Sequence, residues 1–262
     1  MTRFTRTLTS VAYAAFLIYV FLPMLLVVIM SFKDSRFTGF PIKSWTLAWY
    51  PEVFQNVEIV TALGYSTVIA ITSTVAALFI GTWISLLLSG RKFVGRTIIF
   101  GLTILPTLIP GIISAVAFRI YAKILGIEPG MFAIIWAHTI HNIPFVVLVL
   151  VGRLSTLPKN YGEAACDLGA DPLVTFFRIT VPYLRPALLG AGIFCLLVSF
   201  DDFIRSFFLG GYQPTLPVYI FTKLKSGMSP EINAISTIVL VMTAVVGIWA
   251  ERFMRRMKKG SV

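Results

Sequence analysis

Long apolar runs separated by polar connections set the pattern of this chain. Six runs, at about 9–32, 63–88, 97–121, 131–151, 187–209 and 234–251, stand out. A helix needs about 20 mostly apolar residues to cross roughly 30 Å of hydrocarbon. The pattern therefore predicts an all-α membrane protein with six transmembrane helices, in a single transmembrane domain over residues 1–262. The first run is too long for the apolar core of a cleaved leader, about 7–15 residues, and no small-residue cleavage site follows it before Phe32 and Lys33. It is expected to remain as an anchor.

Several runs carry proline: Pro23, Pro106 with Pro110, and Pro144. Proline removes a backbone donor and kinks a helix, which membrane helices tolerate when neighbours satisfy the freed carbonyls. Two readings stand: bending for packing, or a bundle of broken helices around a pathway. The connection 33–62 holds Trp45, Trp49 and Tyr50, which suit a helix lying at the membrane interface. Connection 122–130 is short. Connection 210–233 is longer and polar, with Pro214, Pro217 and Pro230 marking turns.

Composition agrees with the pattern. The chain is 57% hydrophobic and 13% charged, where a soluble domain is about 45–50% apolar and about 25% charged. An ordinary cytosolic enzyme and a disordered chain are both excluded. Of the 22 Lys and Arg residues, 14 fall on one side of the predicted spans and 8 on the other. The richer set comprises Arg3 and Arg6; Arg91, Lys92 and Arg96; Arg153, Lys159, Arg178 and Arg185; and Arg252, Arg255, Arg256, Lys258 and Lys259. By the positive-inside rule that side is cytoplasmic, with both termini inside. The net charge of +11 then needs the lipid bilayer and no nucleic acid to explain it. Cys166 and Cys195 offer no disulfide framework and no metal spacing, and are expected to be free small hydrophobes.

The most informative connection is 153–186. Tyr161–Leu168 reads as a short helix with an acidic first turn, which suits the helix dipole. Gly169 is a natural stop, Pro172 can open a second short helix, and Pro182 and Pro186 should break that one before the fifth span. Ala164 and Ala165 would let another backbone approach closely. The result is a compact knob on the cytoplasmic face.

Here the residues become specific. Glu163-Ala164-Ala165, three residues, Gly169, nine residues, Ile179, two residues, Pro182 resembles the signature loop of ATP-binding-cassette importer permeases. Val181 stands where that family usually has leucine. The resemblance covers the whole chain, and it implies the type I importer permease fold. In that family the loop docks as a coupling helix on a cytoplasmic ATPase, so Glu163, Ala164, Ala165, Asp167, Gly169, Ile179 and Pro182 are the implied ATPase-coupling residues. The family further implies two ATPase copies, a second related permease subunit and a periplasmic or extracellular solute-binding protein. This chain has no Gly-x-x-x-x-Gly-Lys-Ser/Thr loop, so ATP and Mg belong on the partner ATPase and no cofactor is expected here. The chain is expected to be a transport subunit of the bacterial inner membrane, and no enzyme. A proton-coupled secondary transporter, with Asp201, Asp202 and His138 as relays, is the reading from another class; it has no reason to carry the 163–182 loop.

Asp201 and Asp202 lie within the fifth apolar run, in Ser199-Phe200-Asp201-Asp202-Phe203. Charge inside a span is costly and marks a functional site by default. From Ala187 to Asp201 is 14 residues, or about 21 Å of helix, which places the pair in the outer half of the membrane. Carboxylates there would attract a cation, and Phe200, Phe203, Phe207 and Phe208 could add cation–π contacts. The Ser-x-Asp-Asp stretch, Leu216-Pro217, the 229–234 stretch and His138-Thr139 resemble the second permease subunit of spermidine/putrescine importers. Arg205 lies four residues after Asp201 on the same predicted helix face. It either neutralises Asp201 or takes the carboxylate of a zwitterionic cargo, such as an opine or an amino-acid-like amine. The implied substrate path is thus Asp201, Asp202, Arg205, Phe200, Phe203 and His138.

His138, His141 and Asn142 share one helix face. They either line the path or hydrogen-bond carbonyls freed near Pro144. No Cys or nearby acid completes a metal set with them. Glu231 and Asn233 would cap the sixth span or meet the binding protein, with capping favoured.

Overall fold

The computed structural model describes residues 3–35, 41–90, 93–158, 160–226 and 230–259. Among them, regular structure is helical apart from one isolated antiparallel bridge between Lys33 and Trp45. The helices are α1 (Arg3–Ser31), α2 (Trp49–Gln55), α3 (Val57–Ser89), α4 (Arg96–Leu108), α5 (Gly111–Ile124) and α6 (Met131–Leu154). They continue with α7 (Asn160–Asp167), α8 (Pro172–Thr175), α9 (Val181–Phe200), α10 (Phe203–Leu209), α11 (Leu216–Ser226) and α12 (Pro230–Lys259). A π-helical turn, Phe176–Thr180, joins α8 to α9. Among the described residues, five stretches are long and apolar enough to cross a membrane, and α4 with α5 makes a sixth if the bent pair is one span.

Two of the six expected spans differ. The run 97–121 is not one helix: α4 and α5 meet at 108°. Pro110 has no N–H to continue the ladder, and its ring pushes Ile109 into an extended conformation (φ −84°, ψ 128°). Pro106 stays inside α4. The run 187–209 is not one helix either. One apolar stretch runs from Pro172 to Phe200, and the chain then breaks at Asp201 and Asp202 before α10. Pro182 and Pro186 do not break it. Pro182 sits in the first turn of α9, directly after the π-turn. There the hydrogen-bond register shifts, so a missing N–H costs least. The expected turns of 210–233 enclose α11, and α3 starts at Val57, earlier than its apolar run.

The chain divides into two compact units. The first comprises Met1–Val60 with Tyr219–Ala244. In it the Ser31 hydroxyl meets the Tyr50 hydroxyl at 2.8 Å, and Trp49 Nε1 donates to Lys33 O at 2.9 Å. Only Trp49 and Tyr50 of the three expected interface aromatics fall in the short α2, while Trp45 precedes it. Lys223 pairs with Glu58 at 2.9 Å, and that hydrogen bond holds the Lys223 ammonium above its ordinary pKa. Asn56 stops α2 and caps α3: its Oδ1 accepts from the N–H of Glu58 at 3.0 Å, and its Nδ2 donates to Glu231 at 3.2 Å. Glu231 is therefore held by Asn56 at the start of α12. Asn56→Ala should cost about 1 kcal/mol. In a thermal melt of the solubilised protein this reads as a fall of about 2–4 °C.

The second unit comprises Thr61–Val218 with Val245–Val262. Its cores are Ile69, Ala122, Ala133, Ile134, Ala137 and Leu209 on one level, and Ala77, Val146, Leu150, Leu184, Ala191 and Cys195 on another. Helix α6 supplies residues to both, packing against α9, α10 and α4. Helix α3 presents a buried stripe of small residues, Ser73, Ala77 and Ser85, with Gly81 among them. Small residues at this spacing let membrane helices approach closely. At Gly81 the approach is extreme, because a Cβ there would lie 2.7 Å from Val146 Cγ1.

Candidate functional site

Two features of the second unit concentrate polar chemistry: the break between α9 and α10, and the loop after α6. At the break, Asp201 N donates back to Leu197 O at 3.1 Å and closes α9. Asp202 then leaves helical geometry (φ −71°, ψ 96°) and caps α10, its Oδ1 accepting from Arg205 N at 2.9 Å. That capping places the Arg205 side chain directly on Asp202 Oδ2. The pair is buried, with Asp202 and Arg205 side chains each 7% exposed.

Arg205 also reaches two other helices. Its Nη2 donates to His141 Nδ1 on α6 at 2.9 Å and approaches Ser114 Oγ on α5 at 3.4 Å. A guanidinium has only donors, so His141 Nδ1 accepts and carries no proton. His138 continues the network. Its Nδ1 meets Ser199 Oγ at 2.7 Å, and Ser199 meets Ser73 of α3 at 2.9 Å. His138 Nε2 lies 3.5 Å from Ser206 Oγ and 3.9 Å from Asp202 Oδ2. Asn142 donates to Cys195 O at 3.4 Å. The network thus ties α3, α5, α6 and α9 to α10 through buried side chains. A buried polar network of this kind favours one arrangement of helices, with Asn142 Oδ1 and Arg205 Nε as the members that find no hydrogen-bond partner.

The structure corrects two expectations here. Arg205 does not sit one turn above Asp201 on a continuous helix. The helix ends between them, so Arg205 becomes the third residue after a cap and meets Asp202. His138, His141 and Asn142 do share a face, but they use it on α9 and α10 and not on carbonyls near Pro144. Asp201 is exposed, and among the described residues its carboxylate has no ion-pair partner. Phe203 packs on Phe207, with ring centroids 5.4 Å apart. Ser73, Ser114 and Ser206 escaped the sequence reading, since a lone serine in an apolar run looks like any small packing residue.

Up to Pro172 the loop folds as its residues suggest, and the breaks expected at Pro182 and Pro186 are absent. Helix α7 carries Glu163 in its exposed first turn. Gly169 takes φ +78°, a conformation that favours glycine, and Ala170 N donates back to Ala165 O at 2.9 Å. Pro172 opens α8. Ala164 is exposed and Ala165 is buried. Together with Tyr161, Leu168, Val174 and Ile179 they line a cleft of about 680 Å³. The knob is tied down at two points. Arg153 stacks on the Tyr183 ring at 4.0 Å and its Nε donates to Tyr183 O, while Trp83 stacks on Phe176 at 6.1 Å. Leu168, 88% exposed, projects from it. Asp167 is exposed, and Ile179 and Pro182 are half-buried where the π-turn meets α9. The expected contributions of Arg36, Arg91, Lys92, Lys159, Ser229 and the Cys166 side chain lie outside the described residues.

Residues 77–260 match the family described as the binding-protein-dependent transport system inner membrane component. The spermidine/putrescine transport system permease protein PotC of Escherichia coli K12 is 30% identical over 244 residues, covering 93% of this chain and 92% of PotC. The putrescine transport system permease protein PotI of the same strain is 33% identical over 249 residues, covering 92% of this chain and 88% of PotI. Among solved structures, a bacterial ABC transporter importing the acidic polysaccharide alginate aligns with a TM-score of 0.74 at 16% identity, over 98% of each chain. The methionine ABC transporter MetNI, in an inward-facing form, aligns with a TM-score of 0.65 at 17% identity, over 79% of this chain and 98% of the other.

Proposed function

Since the chain belongs to the binding-protein-dependent transport system inner membrane components, and is a permease subunit of an ATP-binding-cassette importer, we propose that its cargo is a small polyamine of the putrescine or spermidine kind. The observation that carries this is the α9–α10 break: an exposed carboxylate, Asp201, interrupts an apolar helix, while the nearest guanidinium is buried against Asp202. A cation finds an unneutralised partner there, and Phe200 and Phe203 flank the aspartate pair in the chain. The likeness to PotC and PotI supports the same cargo. An opine or amino-acid-like cargo would need Arg205 free, and its side chain is 7% exposed.

In this reading the 153–186 knob faces the cytoplasm and couples the permease to ATP hydrolysis on two separate ATPase subunits. Glu163, Ala164 and Asp167 meet the ATPase. Ala165, Gly169, Ile179 and Pro182 hold the knob in shape. Nucleotide binding on the partner moves the knob, and α9, continuous with it through the π-turn, carries that movement to the break. A second related permease and a solute-binding protein complete the importer.

The experiment is uptake of radiolabelled putrescine and spermidine into proteoliposomes holding the full complex with ATP inside. Saturable, ATP-dependent uptake is expected, and amino acids and opine-type compounds should not compete. Competition among zwitterions alone, with no polyamine uptake, would overturn the cargo and leave the permease assignment standing.

A further inference from the structure

We infer that the two adjacent aspartates have separate roles: Asp202 is a structural counter-ion that locks Arg205, and Asp201 alone is the specificity-determining carboxylate, receiving one ammonium group of the cargo. The second half rests on the polyamine reading above. The first half does not.

Charge and burial carry the argument. A guanidinium is charged at any relevant pH, and burying it without a partner is costly. Arg205 is 5% exposed and lies on Asp202, so the pair is neutral as a unit. Its other contacts go to His141 and Ser114, while its Nε–H is buried with no hydrogen-bond partner. No solvent-exposed edge of the guanidinium is left for a cargo carboxylate. Asp202 is equally committed, since one oxygen caps α10 and the other holds Arg205. The clamp joins α5, α6 and α10 at one point, and His138 flanks it from Ser199 to Asp202. Arg205 and His138 are therefore positioning residues. They fix where α9 ends, and so where Asp201 emerges.

What remains at the break is one negative charge, on an exposed side chain. Such a site accepts an ammonium. It discriminates against α-amino acids twice over: their carboxylate finds no donor, and Asp201 repels it. Specificity here comes from the missing donor as much as from the carboxylate.

The test uses the full reconstituted complex and four variants: Asp201→Asn, Asp202→Asn, Arg205→Gln and the double variant Asp202→Asn with Arg205→Gln. Two quantities are read, the putrescine uptake rate in proteoliposomes and the melting temperature of the purified complex. Asp202→Asn and Arg205→Gln should each lower the melting temperature by several degrees and cut uptake about tenfold or more, because each strands a buried partner. The double variant, which removes both charges, should recover the melting temperature and bring uptake to within about threefold of the parent. Asp201→Asn should raise KM for putrescine about tenfold or more with the melting temperature unchanged.

A double variant that recovers its melting temperature but not its uptake would overturn the clamp assignment and place Arg205 against cargo. Normal KM in Asp201→Asn would overturn the cargo carboxylate. If the parent complex carries only zwitterions, the polyamine reading fails, while recovery of the double variant's melting temperature still supports the clamp.

Discussion

Replacing Gly81 with leucine is expected to remove the folded protein from the membrane fraction. The reason is one helix contact. A Cβ on Gly81 would lie 2.7 Å from Val146 Cγ1, 2.8 Å from Val146 Cβ and 3.6 Å from Ile143 O. Val146 has no exposed surface, and its β-branched side chain has essentially one rotamer in a helix. It cannot turn away, so α3 and α6 would have to separate. Alanine alone should cost about 1–3 kcal/mol by overpacking. Leucine adds three more carbons in the same place and should exceed the stability of the domain, which is typically about 5–15 kcal/mol in all. The check is the yield and melting temperature of detergent-solubilised protein. Gly64→Ala is the control. It lies within the same helix with nothing within 4 Å of its added Cβ, so it should leave the melting temperature unchanged or raise it slightly. Normal yield of the Gly81→Leu protein would mean that this close approach is not needed.

Glu163→Arg should abolish ATP-driven uptake while the protein still inserts and melts normally. Two magnitudes separate the outcomes. A cation in the first turn of α7 opposes the helix dipole by only about 0.3–1 kcal/mol, and Glu163 is exposed on an eight-residue helix. The fold barely registers the change. At a docking face the same reversal puts like charges together, which costs several kcal/mol and lowers coupled transport about 100-fold or more. Uptake into proteoliposomes, read beside ATPase activity and melting temperature, separates uncoupling from misfolding. Uptake at the parental rate would remove Glu163 from the docking face.

The knob was legible in the chain because its signals are local. Gly169 takes a positive φ because glycine has no Cβ to clash there, and Pro172 opens a helix because its missing N–H lies where no partner exists. Neither depends on a distant residue. The breaks were less legible. Pro106 and Pro110 look alike in sequence, yet only the second ends a helix. Pro182 and Pro186 look like breakers, yet Pro182 sits in the first turn of α9 directly after the π-turn, and Pro186 stays inside that helix. Whether a proline kinks or stops a membrane helix depends on which neighbours satisfy the carbonyls it frees, and those neighbours come from other helices.

The polar site divides in the same way. That carboxylates, an arginine and two histidines belong together inside an apolar bundle follows from their cost in hydrocarbon, which the chain by itself declares. An ideal helix through Asp201 and Arg205 would have paired those two. The tertiary structure decided otherwise by ending α9 at Asp201 and bringing α5 and α6 against α10, so that Ser114 and His141 hold the guanidinium over Asp202. Apolar period and local turn chemistry are properties of neighbouring residues, so the sequence alone determined the membrane class, the knob and the identity of the charged residues. Which of two adjacent aspartates is neutralised and which is left exposed is a matter of solvation in a packed interior, and only the assembled helices define that interior.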